Sequence, residues 1–266
     1  MGVDPVVAVG TCPFSVRHPV MVNRWEQLTY LHWSYEPSVV QGLLPEGLTV
    51  DTFDGRAWVG LIPFQMSVAP PRLPAPPWLG RFAETNVRTY VRDGHGRAGV
   101  WFFSLEAARL AAVVTARVTY RLPYNWASMR LSGGPDRLVY TTRRRWPGPR
   151  GAGGTIVVRP GALIAPEEVT ELEHFLTARW RLFSHARDAG LRYGEVAHAP
   201  WPLQRAVVEA CDDSLVTAAG LPRPVGAPLA HYSRGVKVHI AVPHRVTSVA
   251  EDLHLPGSSP SGQTSS

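Results

Sequence analysis

Lysine is almost absent from this 266-residue chain. Of its 27 basic residues only Lys237 is a lysine, and the other 26 are arginines. Schiff-base catalysis needs an amine that a pocket can deprotonate, and a guanidinium does not provide one. Covalent amine chemistry therefore has a single candidate position. Cysteine is scarce as well. Cys12 and Cys211 lie far apart with no CxxC spacing, which excludes a disulfide framework or zinc ribbon and leaves free thiols as the reading. No apolar run reaches the roughly 18 residues of a membrane span. Residues 1–22 lack a basic segment ahead of their short apolar stretch, so no signal peptide is expected. The expectation is a cytoplasmic protein with no membrane partner.

Motifs for cofactors and metals are missing too. There is no P-loop and no GxGxxG after a strand, and residues 151–154 read as a glycine-rich loop. Glu195 and His198 fall on an extended segment, and His231 and His239 stand eight residues apart on another, too far to chelate one ion. No GxSxG elbow surrounds Ser233. Neither a metal nor a cofactor is expected.

What the chain does have is a core and an uneven charge. Hydrophobic residues make up 45% and charged residues 18%, which suffices for a packed interior and excludes global disorder. The net charge of +6 is concentrated in residues 51–150, which hold 15 basic and 6 acidic residues. The densest run is Arg143-Arg144-Arg145 before Trp146. Such a run suits a nucleic-acid or protein-interaction surface. No zinc-finger, RRM or KH signature accompanies it, so nucleic acid is not the expected partner. A homo-oligomer is left open.

Along the chain, residues 1–24 read as an N-terminal arm, 25–246 as one domain and 247–266 as a Ser/Gly-rich disordered tail. Residues 26–35 form a strand, and Pro37 opens a short helix. Asp54-Gly55 is a type I′ hairpin signal between strands 48–53 and 56–68. Residues 69–80 form a proline-rich surface loop. A hairpin follows at 82–92 and 99–105, then a helix at 106–115. Strands are expected at 117–131, 136–146 and 155–159, and a helix runs from Pro166 to about Leu176. Residues 180–186 and 191–198 are extended, 203–211 are a short helix, and 228–242 are the last strand. Hairpins without βαβ alternation imply an α+β protein built on one antiparallel sheet or barrel.

One stretch suggests a site. In residues 84–90 the even positions are Glu84, Asn86, Arg88 and Tyr90, and strand alternation puts all four on one face. That face is either plain solvent surface or a polar wall inside a barrel. If it is inside, Glu84 and Arg88 must hold each other or a ligand, since buried charges need partners. Arg117, Tyr120 and Tyr124 add cations and polar-tipped rings suited to a small-molecule pocket.

Several segments resemble the YqjF-like family of uncharacterised proteins. They are Tyr30-Leu-His-Trp33, residues 44–48, 51–59, 86–91 and 99–106, Leu122-Pro-Tyr124, Pro200-Trp-Pro-Leu-Gln204 and His231-Tyr-Ser233. The likeness spans about residues 25–245. That family is placed in the acetoacetate-decarboxylase-like superfamily, which implies a curved antiparallel β-barrel with a few flanking helices and a central cavity. The resemblance implies that the superfamily's lysine-bearing element lies along residues 116–125. Arg117 and Pro123 match it, while Tyr124 and Asn125 stand where it has its two lysines. Its active-site glutamate falls near Glu84. The resemblance thus implies a barrel without the imine-forming nucleophile. Lys237 alternates with Val236 and Val238 and is expected to face outward if those valines are core, away from the position of that nucleophile.

The functional expectation is a protein that binds a small organic molecule, such as an organic acid, in its cavity. Glu84 is the candidate catalytic residue, and Asn86, Arg88, Arg117, Tyr120, Tyr124 and Asn125 are the candidate ligand-binding residues. The alternatives are a lyase or decarboxylase acting by acid–base chemistry on Glu84, a decarboxylase or aldolase using Lys237, an interaction surface at Arg143–Arg145, and a barrel whose interior is simply filled.

Overall fold

The computed structural model describes residues 10–69, 80–186 and 190–247. The long strand β1 (Met21–Tyr35) takes in residues 21–24 of the expected arm and leads into the short helix α1 (Pro37–Gln41). The small strands β2 (Leu48–Val50) and β3 (Thr52–Phe53) precede β4 (Arg56–Ala69), β5 (Arg81–Asp93) and β6 (Ala98–Ala107). Asp54 (φ 49°) and Gly55 (φ 71°) adopt the two positive φ values of the hairpin read from the sequence. The helix α2 (Leu110–Thr119) follows, then β7 (Tyr124–Gly134), β8 (Arg137–Trp146) and β9 (Gly153–Leu163). A 3-10 turn at Pro166–Glu168 precedes α3 (Glu171–Thr177). The chain continues through β10 (Arg181–Ala186), β11 (Gly190–His198), β12 (Leu203–Asp213), α4 (Leu215–Ala218), β13 (Leu229–Ile240) and β14 (His244–Arg245). Most of the expected proline-rich loop, residues 248–266 of the expected tail and residues 1–9 of the arm lie outside the described residues.

All of these strands belong to one curved, mainly antiparallel sheet. Following hydrogen-bonded neighbours from β6 through β7, β8, β9, β12, β13, β1, β4 and β5 leads back to β6. A second closed path runs from β6 through β10, β11 and β13 and returns along β1, β4 and β5. Two strands make the fork. The start of β6 pairs in parallel with β10, and its end, Leu105–Ala107, pairs in parallel with β7. Likewise His231–Ser233 of β13 face β12, whereas Val238–Ile240 face β11.

The shared strands are buried on both faces, which explains the nearly continuous apolar run of β4. Its odd positions Ala57, Val59 and Leu61 join Leu31, Val87, Leu138 and Tyr140 in one core cluster. Its even positions Ile62, Phe64 and Met66 join Leu28, Tyr30, Phe82 and Val113 in another. In β1 the register shifts between Glu26 and Leu31, and Gln27 takes φ 52°. This irregularity reverses the strand's parity, as a β-bulge does.

Three local expectations are corrected. Residues 106–107 continue β6, and the helix starts at Leu110, because pairing of Leu105–Ala107 with Tyr124–Trp126 overrides the helix-forming composition. Arg117 and Tyr120 therefore sit on a helix and its C-cap rather than on a strand. Residues 203–211 form strand β12, held between β13 and β9, where a helix was expected. The helix expected from Pro166 is split, and α3 begins after Thr170, whose hydroxyl accepts from the Glu173 N–H while the Glu173 carboxylate accepts from the Thr170 N–H.

The arginine run is also resolved by strand period. Arg143 and Arg145 are exposed, while Arg144 is 5% exposed and binds the fully buried Glu106 at 2.5 Å. The run is therefore not a three-arginine surface. Removing one partner of such a pair strands a buried charge. Arg144→Ala should cost about 3–5 kcal/mol in urea unfolding. The double replacement of Glu106 by Leu and Arg144 by Met should recover most of that loss.

Candidate functional site

The even-numbered face of β5 lines a cavity of about 380 Å³, within the size range of small-molecule sites. Three successive even positions, Glu84, Asn86 and Arg88, contribute to its wall. Beside them β4 presents Ile62, Phe64 and Met66, and β1 presents Asn23, Trp25 and Leu28. α2 supplies Ala111, Ala112, Thr115 and Ala116, and the segment after it adds Tyr120, Leu122 and Tyr124. The wall is mostly apolar, with a few polar groups at defined places.

Glu84 is 2% exposed. Its neighbours across the sheet are Phe64 on β4 and Ala107 on β6, neither of which can solvate a carboxylate. Tyr124 lies one strand further on, because Asn86 pairs with Leu105 and Leu105 pairs with Tyr124. From there the Tyr124 phenol donates to Glu84 Oε2 at 3.1 Å. Burial is the main force on Glu84 and raises its pKa to about 8; the Tyr124 hydrogen bond pulls it down, and the nearby Glu106 pushes it up. At neutral pH Glu84 is thus a neutral carboxylic acid. Burial, and then the neighbouring Glu84, hold the Tyr124 phenol well above its usual range, so it stays a donor.

Arg88 does not pair with Glu84, although that was one reading of the alternation. Its guanidinium donates to the Leu176 carbonyl at 3.1 Å and lies 5.6 Å from the Tyr90 ring centroid. It has no carboxylate partner among the described residues, and its Nε has no acceptor there. Tyr90 donates to the Leu176 carbonyl at 2.7 Å, so its oxygen receives the Nε2–H of His32, also at 2.7 Å. Burial holds His32 well below its usual range, hence neutral, with Nδ1 unpartnered among the described residues. Along the wall, Asn86 Oδ1, Asn23 Oδ1 and Trp25 Nε1 are buried and also have no partner among the described residues. Buried polar atoms without partners are exceptional and point to a ligand or ordered water.

Two expected site residues lie elsewhere. Tyr124 and Asn125 are consecutive on a strand and so face opposite ways. Asn125 turns from the cavity and donates to Glu106 at 3.0 Å. Arg117 donates to the Tyr124 carbonyl at 2.5 Å and lies over the Trp146 ring, outside the cavity wall. Conversely, Asn23, Trp25 and Trp201 line the cavity although no local pattern in the sequence singled them out. Lys237 is exposed. No cluster of metal-ligating side chains occurs among the described residues.

Comparison with known proteins agrees with this architecture. Residues 22–237 match the family DUF2071, described as an uncharacterized conserved protein. The chain is 33% identical over 216 residues to the uncharacterized protein YqjF of Bacillus subtilis (strain 168), covering 81% of this chain and 88% of that one. Among solved structures, the enduracididine biosynthesis enzyme MppR complexed with pyruvate aligns with a TM-score of 0.59 at 12% identity, over 88% of this chain and 93% of that one. Acetoacetate decarboxylase from Legionella pneumophila aligns with a TM-score of 0.56 at 14% identity, over 94% of this chain and all of that one. At such identities the likeness shows the fold, which is the acetoacetate-decarboxylase-like fold.

The raised pKa of Glu84 gives a pH signature. The native state holds the proton up to about pH 8, whereas an unfolded glutamate releases it near 4.5. The stabilisation is complete below the unfolded value and is lost as pH rises through 8. Glu84→Gln removes this dependence. Measured by urea unfolding, the stability of the variant relative to the parent should therefore rise between pH 5 and pH 9, by on the order of a few kcal/mol.

Proposed function

The chain belongs to the DUF2071 family, and from that premise we propose that its cavity receives a small organic molecule, bound and polarised by Glu84 and Tyr124 without any lysine imine. The observation that carries the reading is the Glu84–Tyr124 hydrogen bond of 3.1 Å set in an apolar cavity of about 380 Å³. The phenol's one proton is engaged on Glu84 Oε2, which aims the O–H of the neutral carboxylic acid at a carbonyl or carboxyl oxygen of the ligand. The ligand's apolar body packs against Phe64, Phe82 and Trp25. Arg88, about 13 Å along the strand from Glu84, is the cation available to an acidic group at the far end. Pyruvate in MppR supports an organic acid as the ligand class.

A second reading is that the same pair performs acid–base chemistry of the lyase type. It rests on the pKa of Glu84 near 8, close to the value at which a general acid works best at neutral pH. Glu84 would give its proton to the ligand's carbonyl oxygen, and Tyr124 would then donate to the carboxylate left behind. This route differs from the superfamily's chemistry because Tyr124 occupies the position of its reactive lysine.

Borohydride trapping separates imine from non-imine chemistry. The parent protein with pyruvate should give no reduced adduct at Lys237 or elsewhere, whereas Tyr124→Lys should gain the mass of one reduced imine. Mass spectrometry of small molecules carried through purification should find a ligand in the parent that Glu84→Gln loses. Unchanged carry-over in that variant would remove Glu84 from the site.

A further inference from the structure

α2 has an unusual outer face. Its inner side contributes Ala112 and Ala116 to the cavity and buries Val113. Leu110, Val114 and Val118 are 45%, 49% and 63% exposed. Spaced four residues apart, they form one stripe along the helix. The other exposed positions on α2 are Ala111, Thr115 and Thr119, so this surface carries no charge. A surface helix ordinarily turns charged residues to water. Ala111 and Thr115 also line the cavity, so the stripe borders its opening.

Both ends of the stripe are basic. At the N-terminus stands Arg109, exposed, with no side-chain cap and no acid in the first turn. A cation there opposes the helix dipole, and an anion would satisfy the bare turn. At the C-terminal end Arg117 lies 5.1 Å from the ring centroid of Trp146, which is 47% exposed, and Arg145 lies 5.0 Å from that of Trp126. α2 contains no acidic residue.

We propose that this face docks on an anionic phospholipid surface, with Leu110, Val114 and Val118 inserted among the acyl chains and Arg109, Arg145 and Trp146 at the headgroups. An apolar stripe with arginine and tryptophan at its borders is the composition of a helix lying in a membrane interface. A second copy of the chain fits less well. A two-fold interface sets each patch against itself and brings arginines against arginines at both ends. No helix among the described residues is long and apolar enough to cross a membrane, and the contact proposed is with the membrane surface.

Cosedimentation with vesicles of phosphatidylcholine, with and without phosphatidylglycerol, tests the proposal. The full chain should pellet with the anionic vesicles at least ~10-fold more than with the neutral ones, and salt should weaken the binding. Val114→Asp with Val118→Asp should abolish pelleting while the thermal melt stays unchanged. Arg109→Gln and Arg145→Gln, which spare the stripe, should each lower partitioning roughly fivefold. No pelleting with either vesicle, or undiminished pelleting of the Asp variant, overturns the proposal. So does a parent that is dimeric in solution and becomes monomeric in the Asp variant, because the face then belongs to a second copy.

Discussion

The buried ion pair between Glu106 and Arg144 sets the conditions under which the rest of the molecule is arranged. It stands where β6 leaves β10 for β7, and Asn125 completes the carboxylate's hydrogen bonding. Two charges removed from water are tolerated only with good geometry and satisfied lone pairs. The pair therefore fixes the ends of β6, β7 and β8 relative to one another. It also acts across the sheet. Glu106 projects from the face opposite Leu105, and its charge adds to the burial that keeps a proton on Glu84. The same sheet position thus serves the fold and the chemistry of the cavity.

Alternation then distributes the polar groups. Glu84, Asn86 and Tyr124 fall on the cavity side of β5 and β7, while Thr85, Glu106 and Asn125 fall on the other. The consecutive residues Tyr124 and Asn125 therefore serve opposite sides of the sheet. Tyr124 places a phenol on the cavity wall beside Glu84, and Asn125 donates to the buried Glu106 carboxylate.

Much of this was legible in the sequence where the signal is local. The type I′ turn at Asp54-Gly55 follows from two residues that accept positive φ, and the polar face of residues 84–88 follows from a period of two. The family resemblance led to the fold. What escaped depended on distant partners. Residues 106–107 have a helical composition but are drawn into a strand by residues 124–126. Residues 203–211 show apolar spacing that serves a helix or a strand, and only their two flanking strands decide between them. Arg144 cannot be told from Arg143 and Arg145 until strand parity places it inside. Asn23 and Trp25 reach the cavity because β1 starts earlier than its pattern suggests and reverses parity at Gln27.

The two closed paths of strands have β13, β1, β4, β5 and β6 in common. These five strands act as a party wall. Leu61 and Val87 pack on one side of it and never touch the cavity, yet their neighbours Ile62 and Asn86 line it from the other. Because packed interiors are nearly incompressible, a bulge on one side of the wall becomes a dent on the other. The room available to a ligand is therefore dictated partly by residues a ligand never meets, and ligand preference in relatives of this chain can drift through substitutions in the adjoining core.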